Sequence, residues 1–350
     1  MKNVPSLKGL LNRTNGLIPS NRPSVDDAAH ASVSARRDEG APPRGTTPKV
    51  GRPDWLKRLA FRRATVAASV EGSSLRIVSF VNQDVVGWTS INLDSGIVRN
   101  GQIVDPANLG DVVDEAFDRL KLSRGRVIWA LPGFQTMARV LDLPDVRGAA
   151  LREAVYEEAE QALGVDVDDS YLFWQRLEGR VRSRKVFVLA LPKTTVLTAL
   201  EALEAAEIHP TTMDLRPLAL ARAVGRGDAI VVNLEDGTLD IAIVARGIPT
   251  LIRGMPLPGV SSNVEAAQNR LIDEVDRALT YYDDSDPLHR LDPDAPLYLT
   301  GRLATGIALT EKIRTVTHHP IGRLPTNPSY PPDFPVAEYL VQLGLALKRS

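Results

Sequence analysis

The sequence predicts a two-lobed α/β protein carrying an inserted unit, and three observations predict it. Two stretches read as three-strand meanders followed by a helix, one after residue 63 and one after residue 228. The meanders align without a gap: residues 70–78 (VEGSSLRIV) lie over residues 234–242 (LEDGTLDIA), placing Glu71 on Glu235 and Leu75 on Leu239. Between them runs a β-β-α-β-β-α segment of a different pattern. Repetition of a strand-rich unit with its helix points to duplication, and the mixture of strands and helices to an α/β architecture.

The elements follow in order. Residues 1–62 are rich in Pro, Ser, Arg and Gly with no sustained period, so they cannot bury enough apolar surface to offset chain entropy. They read as a disordered basic tail, with short helical turns possible only at LKGLLNRTNGLI and at Trp55-Leu56-Lys57-Arg58-Leu59. ATVAASV, SLRIVSFV and VVGWTSINL are β-branched runs separated by turns at Glu71-Gly72 and Asn82-Gln83-Asp84, the signature of a meander. Asp105 then caps a helix with Pro106 in its first position. Its buried stripe is Leu109, Val112, Val113, Ala116, Phe117 and Leu120.

The inserted segment spans 126–208. RVIWALP and TMARVLDLP read as strands, and 147–163 as a helix with Leu151, Val155, Ala159 and Ala162 on one face. SYLFWQRLEG and KVFVLALP are strands again, and VLTALEALEAAEI a helix. Trp88, Trp129 and Trp174 fall in strand patterns, where core packing is the expectation.

AIVVNLED, TLDIAIVARG and IPTLIRGMPL form the second meander. A helix over 263–283 follows, with Val264, Leu271, Val275, Ala278, Leu279 and Tyr282 on its buried face and Arg270 spaced to pair with Glu274. The strand PLYLTG, a helix over 304–316 and a last helix in VAEYLVQLGLAL complete the chain. The expected domains are therefore a first lobe from 63–125 and 209–226, an inserted subdomain at 126–208 and a second lobe at 227–350.

Composition bounds the function. Cysteine is absent, which removes disulfides, thiolate nucleophiles and cysteine metal sites together and fits an intracellular setting. No run of eighteen apolar residues spans a bilayer, and the N-terminus has no apolar signal region. The net charge of −1 hides an asymmetry: residues 1–60 hold eleven Lys or Arg against five Asp or Glu. A basic tail on an acidic body argues against a nucleic-acid-binding core, while the tail itself suits anionic headgroups or an acidic partner. Gly-x-Ser-x-Gly, His-Glu-x-x-His and P-loop signatures are missing. His318-His319 reads as a loop pair near a helix end, not a metal site.

Duplicated lobes that each open with a hairpin are the plan of the actin, Hsp70 and sugar-kinase superfamily, an actin-like (ribonuclease H-like) fold. Within it the chain resembles the PilM family of type IV pilus assembly, related to FtsA. Ordered segments over about 63–348 carry the resemblance, among them SVEGSSLRIV, GQIVDPANLGDVVDEAF, VIWALPGFQTMARVLDLP, REAVYEEAEQAL, VFVLALPKTTV, VVNLEDGTLDIAIV and LTGRLATG.

The resemblance implies an ATP cleft, whose motifs this chain alters. Active relatives read Asp-apolar-Gly, small residues and Lys in the first hairpin. Here it is Ser69-Val70-Glu71-Gly72-Ser73-Ser74-Leu75-Arg76, with Ser for Asp, Glu for the first Gly and Arg for Lys. The second hairpin, Asn233-Leu234-Glu235-Asp236-Gly237-Thr238, has Asn for Asp and again Glu for Gly. The adenosine motif, normally Gly-Gly after Leu-Thr, is Leu299-Thr300-Gly301-Arg302, putting a bulky side chain where a nucleotide ring would lie. A carboxylate about 5 Å from a phosphate opposes it by roughly 3 kcal/mol at an effective dielectric near 20. The expectation is a vestigial cleft, with no cofactor and ATP disfavoured. As residues of tight turns, Glu71 and Glu235 are expected to be solvated.

The resemblance further implies a non-catalytic scaffold, peripheral to the cytoplasmic face of the inner membrane. Its implied partner is the cytoplasmic N-terminal peptide of a PilN-like single-span membrane protein, bound between the first lobe and the inserted subdomain, with a pilus assembly ATPase as a further candidate. The alternatives are an active ATPase or kinase with a rewired cleft, and an FtsA-like filament subunit. Glu71 and Glu235 as a glycosidase-type carboxylate pair lack any accompanying sugar-site signal.

Overall fold

A computed structural model describes residues 64–348 except 167, 178–184, 258–262, 286–289 and 305. The expected tail at 1–62 lies outside the described residues.

The first meander forms as expected: β1 (Thr65–Glu71), β2 (Ser74–Val81) and β3 (Asp84–Asn92). Asn82 and Gln83, both at positive φ (52° and 69°), make the two-residue turn that matches strand twist. A small hairpin, β4 (Val98–Arg99) and β5 (Gln102–Ile103), precedes α1 (Pro106–Leu120). Asp105 caps α1, accepting a hydrogen bond from the Asn108 N–H.

Next come β6 (Val127–Leu131), β7 (Met137–Asp142), α2 (Ala149–Leu163), β8 (Ser170–Arg176), β9 (Lys185–Pro192) and α3 (Lys193–Ala205). β10 (Thr212–Leu215) and α4 (Arg216–Val224) lead to the second meander, β11 (Ala229–Glu235), β12 (Gly237–Ala245) and β13 (Ile248–Leu257). The chain ends with α5 (Val264–Ser285), β14 (Leu297–Thr300), α6 (Ile307–Thr317) and α7 (Leu340–Ala346).

These elements stack in layers. The first sheet has the order β10-β6-β1-β2-β3, with β6 parallel to both β1 and β10. The second has the order β13-β12-β11-β14, with β14 parallel to β11. α1 and α3 close one core on the outer face of the first sheet through Leu109, Val113, Phe117, Val196 and Leu203. α5 and α6 close another on the outer face of the second, through Leu271, Val275, Leu309 and Ile313. Between the sheets lie α4 and α7, whose Ala219, Leu220, Leu340 and Leu343 pack with Ala67 and Val78 of one sheet and Val231 and Val244 of the other. This interlayer joins the lobes through a shared apolar core.

The topology draws the inserted unit inward from 126–208. β6 belongs to the first sheet and α3 to the first core. What remains is a three-stranded antiparallel sheet, β7-β9-β8, covered by α2. Its own core is Leu141, Leu143, Leu151, Val155, Ala159, Leu163, Val186, Val188 and Ala190.

Smaller expectations are also corrected. The last helix begins at Leu340; ahead of it Phe334 packs tilted against Tyr330 and Tyr339, each at 5.4 Å, with Trp88 edge-on to Phe334 at 5.2 Å. Trp129 is buried, but Trp174 is 37% exposed on the outer strand β8. Glu274 pairs with Arg277 and with Arg253 across to β13, and not with Arg270.

Candidate functional site

The duplication seen in the sequence holds at the level of register. Glu71 closes its hairpin opposite Ser74 and Glu235 closes the other opposite Thr238. One step further in, Ser69 faces Arg76 and Asn233 faces Asp240. Fold and register therefore bring the two hairpin motifs to one place between the lobes.

There the hairpins touch. Gly72 adopts φ +58°, and a Cβ built on it would lie 2.4 Å from the carbonyl oxygen of Asp236. Glycine is required on both counts, the conformation and the approach. Ser73 Oγ donates to the Asp236 carboxylate at 3.2 Å. From the side, the β4–β5 turn covers the second hairpin: a Cβ on Gly101 would meet the Thr238 methyl at 2.2 Å.

Behind the tips lies a buried ionic cluster. Arg76 directs Nη1 and Nη2 at the two carboxylate oxygens of Glu235, each at 2.7 Å. Nη1 also donates to Glu71 Oε2 at 3.1 Å and to the Glu338 carbonyl at 2.6 Å. The guanidinium stands 5.7 Å from the Tyr339 ring centre. Glu71 Oε1 accepts from Ser69 Oγ and from Gln342 Nε2, both at 2.7 Å. Glu235 Oε1 also accepts the Arg302 backbone N–H at 2.9 Å. The expectation that the two glutamates are solvated is overturned: each is 1% exposed. A buried carboxylate must be paired, and Arg76 supplies the pair for both.

Two carboxylates on one cation in a dry site leave an imbalance. Burial pushes the Glu235 carboxyl up, to about 7; Arg76 pulls it down, and the Glu71 charge pushes it up again. Burial works against the Arg76 cation, yet Glu71 and Glu235 outweigh it and hold the guanidinium above its ordinary value.

The other predicted positions surround this cluster. Ser74 Oγ donates to Asn92 Oδ1 at 3.3 Å. Asn233 Oδ1 accepts from Thr300 Oγ1 at 2.7 Å. Gly301 lies against Leu234, where a Cβ would come 2.3 Å from the carbonyl oxygen. Arg302 is exposed, so its backbone and not its side chain takes part in the cluster.

Gln342, Tyr339 and Glu338 were not legible as site residues, nor was a second buried pair, Arg216–Asp240 at 3.2 Å. Arg216 Nη1 also donates to the Val70 carbonyl at 2.8 Å. Burial raises the Asp240 carboxyl despite Arg216. A charged residue in an otherwise apolar run, such as Arg76 in SLRIVSFV or Asp240 in TLDIAIVA, was the available signal.

Among the described residues, no group of three or more His, Asp or Glu is placed to hold a metal ion. His318 caps α6 at φ 60°, and His319 Nδ1 lies 3.0 Å from the Ala295 carbonyl, in keeping with a helix-end pair. An open cavity of about 460 Å³ lies between α5 and α6, lined by Asn269, Ile272, Asp273, Glu311 and Lys312. No helix among the described residues is long and apolar enough to cross a membrane.

The family described as type IV pilus assembly protein PilM matches residues 79–248. Among solved structures, the PilM–PilN type IV pilus biogenesis complex is similar at a TM-score of 0.66 and 20% identity, over 82% of this chain and 98% of that one. A Bacteroides thetaiotaomicron protein with an actin-like ATPase fold is similar at 0.48 and 14% identity, over 85% and 99%. Ethanolamine utilization protein EutJ from Carboxydothermus hydrogenoformans is similar at 0.47 and 16% identity, over 82% and 90%. No curated protein sequence matches the chain. The chain is thus similar to the PilM family over residues 79–248 and shares the fold seen in the PilM–PilN complex.

Proposed function

We propose that the protein is a non-catalytic, PilM-like scaffold of a type IV pilus or related assembly machine, with a degenerate nucleotide cleft. The observation that carries the reading is the contact between the two hairpins, backed by the Glu71–Arg76–Glu235 cluster. ATP·Mg, which the fold family implies, does not fit the residues present. The Gly72 and Asp236 backbones already touch where phosphates would pass, and two buried carboxylates lie behind that contact. The cation nearest them, Arg76, is already committed to both. An Asp is missing from each hairpin at the place now held by Ser69 and Asn233.

The partner in this reading is the cytoplasmic N-terminal peptide of a PilN-like membrane protein, and the protein sits at the inner membrane through that partner. The likeness to a PilM–PilN complex supports it. An extended peptide adding to a strand edge binds largely through its backbone, a mode that tolerates divergence of side chains.

Calorimetry with the full chain tests both halves. The peptide is expected to bind, and ATP·Mg to show no dissociation constant tighter than about 10 μM, roughly −7 kcal/mol. Tight ATP·Mg binding together with measurable turnover and no peptide binding would replace the scaffold with the enzyme reading.

A further inference from the structure

We propose that Glu71, Arg76 and Glu235 form an ion latch that holds the two lobes shut on the hairpin side, with the C-terminal segment bolted into it. Three contacts bring the lobes together there: Gly72 on Asp236, Gly101 on Thr238, and Gly254 of β13 on Gly133. The first also carries one hydrogen bond, Ser73 Oγ to the Asp236 carboxylate at 3.2 Å, and the last a backbone bridge between Phe134 and Gly254, while the second is a steric fit against a methyl group. Arg76 differs. It leaves β2 of the first lobe and grips both oxygens of Glu235 at the end of β11 in the second. Bidentate guanidinium–carboxylate pairs are among the strongest and most geometrically selective bonds available to a protein.

The same guanidinium takes the Glu338 carbonyl, and Gln342 of α7 donates to Glu71, so the C-terminal segment is fastened by the same joint. Opening the hairpin side therefore means pulling the guanidinium off both oxygens of Glu235, while Glu71, on the same hairpin as Arg76, stays beside it.

The cluster is built to release as well as to hold. Arg76 Nε, Gln342 Oε1 and Thr238 Oγ1 are buried without a hydrogen-bond partner when the lobes are shut. Two carboxylates share one cation, so burial cost offsets much of the attraction. On opening, water reaches the unmatched atoms and the excess negative charge. Beneath the cluster, the apolar interlayer of α4 and α7 stays as the hinge side, fastened by Arg216 between Val70 and Asp240. The latch is independent of any partner, and it stands or falls apart from the scaffold reading.

The cysteine-free chain allows a direct test by thiol labelling. A Thr238→Cys reporter sits 4% exposed opposite Glu235 and beneath the β4–β5 turn of the first lobe, and an Ala278→Cys control is fully buried in α5, away from the latch. Arg76→Met is expected to raise the labelling rate of Thr238→Cys at least tenfold while the Ala278→Cys rate stays slow. Unchanged labelling at Thr238→Cys in a folded Arg76→Met background overturns the latch. Should Arg76→Met fail to fold, the neutral triple variant Glu71→Gln/Arg76→Met/Glu235→Gln takes its place with the same expectation and the same overturning result. Loss of folding in the triple variant also overturns it, since the cluster would then be a requirement of the fold and not a joint within it.

Discussion

Gly344 of α7 rests directly on Ala219 of α4: a Cβ on the glycine would fall 1.9 Å from the Ala219 carbonyl oxygen. The two helices cross backbone to backbone in the interlayer that joins the lobes. Gly344→Ala is therefore expected to force them apart at a cost of about 2–3 kcal/mol, as overpacked cores do. Urea unfolding measures it, and a loss below about 0.5 kcal/mol would mean the helices slide freely.

Arg76→Met strands two buried carboxylates. The expected loss is about 3–5 kcal/mol, the usual result of breaking one side of a buried pair. Neutralising all three members should recover most of it, because uncharged groups of similar volume carry no such desolvation cost. Equal stability of the single and triple variants would contradict the ion-pair account.

The pH dependence carries a sign set by Glu235. Its folded carboxyl titrates near 7, above the ordinary 4.5, so the folded state holds a proton that the unfolded state gives up. Its contribution is fully present below about 4.5 and is lost as pH rises to about 7, a change of about 3 kcal/mol at most. Stability is expected to fall between pH 5 and pH 7.5, and Glu235→Gln to flatten that slope whatever its absolute stability. A slope unchanged by the substitution would assign the proton elsewhere.

Restoring the nucleotide motif alone should fail. Ser69→Asp, Glu71→Gly, Asn233→Asp and Glu235→Gly together remove both carboxylates that Arg76 grips and offer it in exchange one at position 69, across the strand pair, without the bidentate geometry of Glu235. The four-site variant is expected to lose at least about 3 kcal/mol and to gain no ATP binding until Arg76 is also changed to Lys. Calorimetry showing tight ATP·Mg binding by the four-site variant would show that Arg76 is no obstacle.

What the sequence made legible follows from the physics of each element. The meanders and α1 stood out because strand runs and a helical stripe are local patterns, and the alignment of 70–78 on 234–242 survived as register. β10 and α4 were missed for the opposite reason. β10 has only four residues and α4 only nine, too short a stretch for a period to stand out. Glu71 and Glu235 were misplaced in water because a turn glutamate normally is solvated. What buries them comes from Arg76, Glu338 and Gln342, the last two more than 260 residues from the first hairpin.

The two repeats differ where it matters: the position that is Arg76 in one is Asp240 in the other. The twin glutamates thus share a single cation that only one repeat provides. In evolutionary terms, positions 71, 76 and 235 behave as one heritable character. A descendant that regains glycine at 71 and 235 while keeping arginine at 76 must pass through a buried, unneutralised charge. Natural relatives should therefore hold either the whole ionic trio or none of it, and intermediates should be rare.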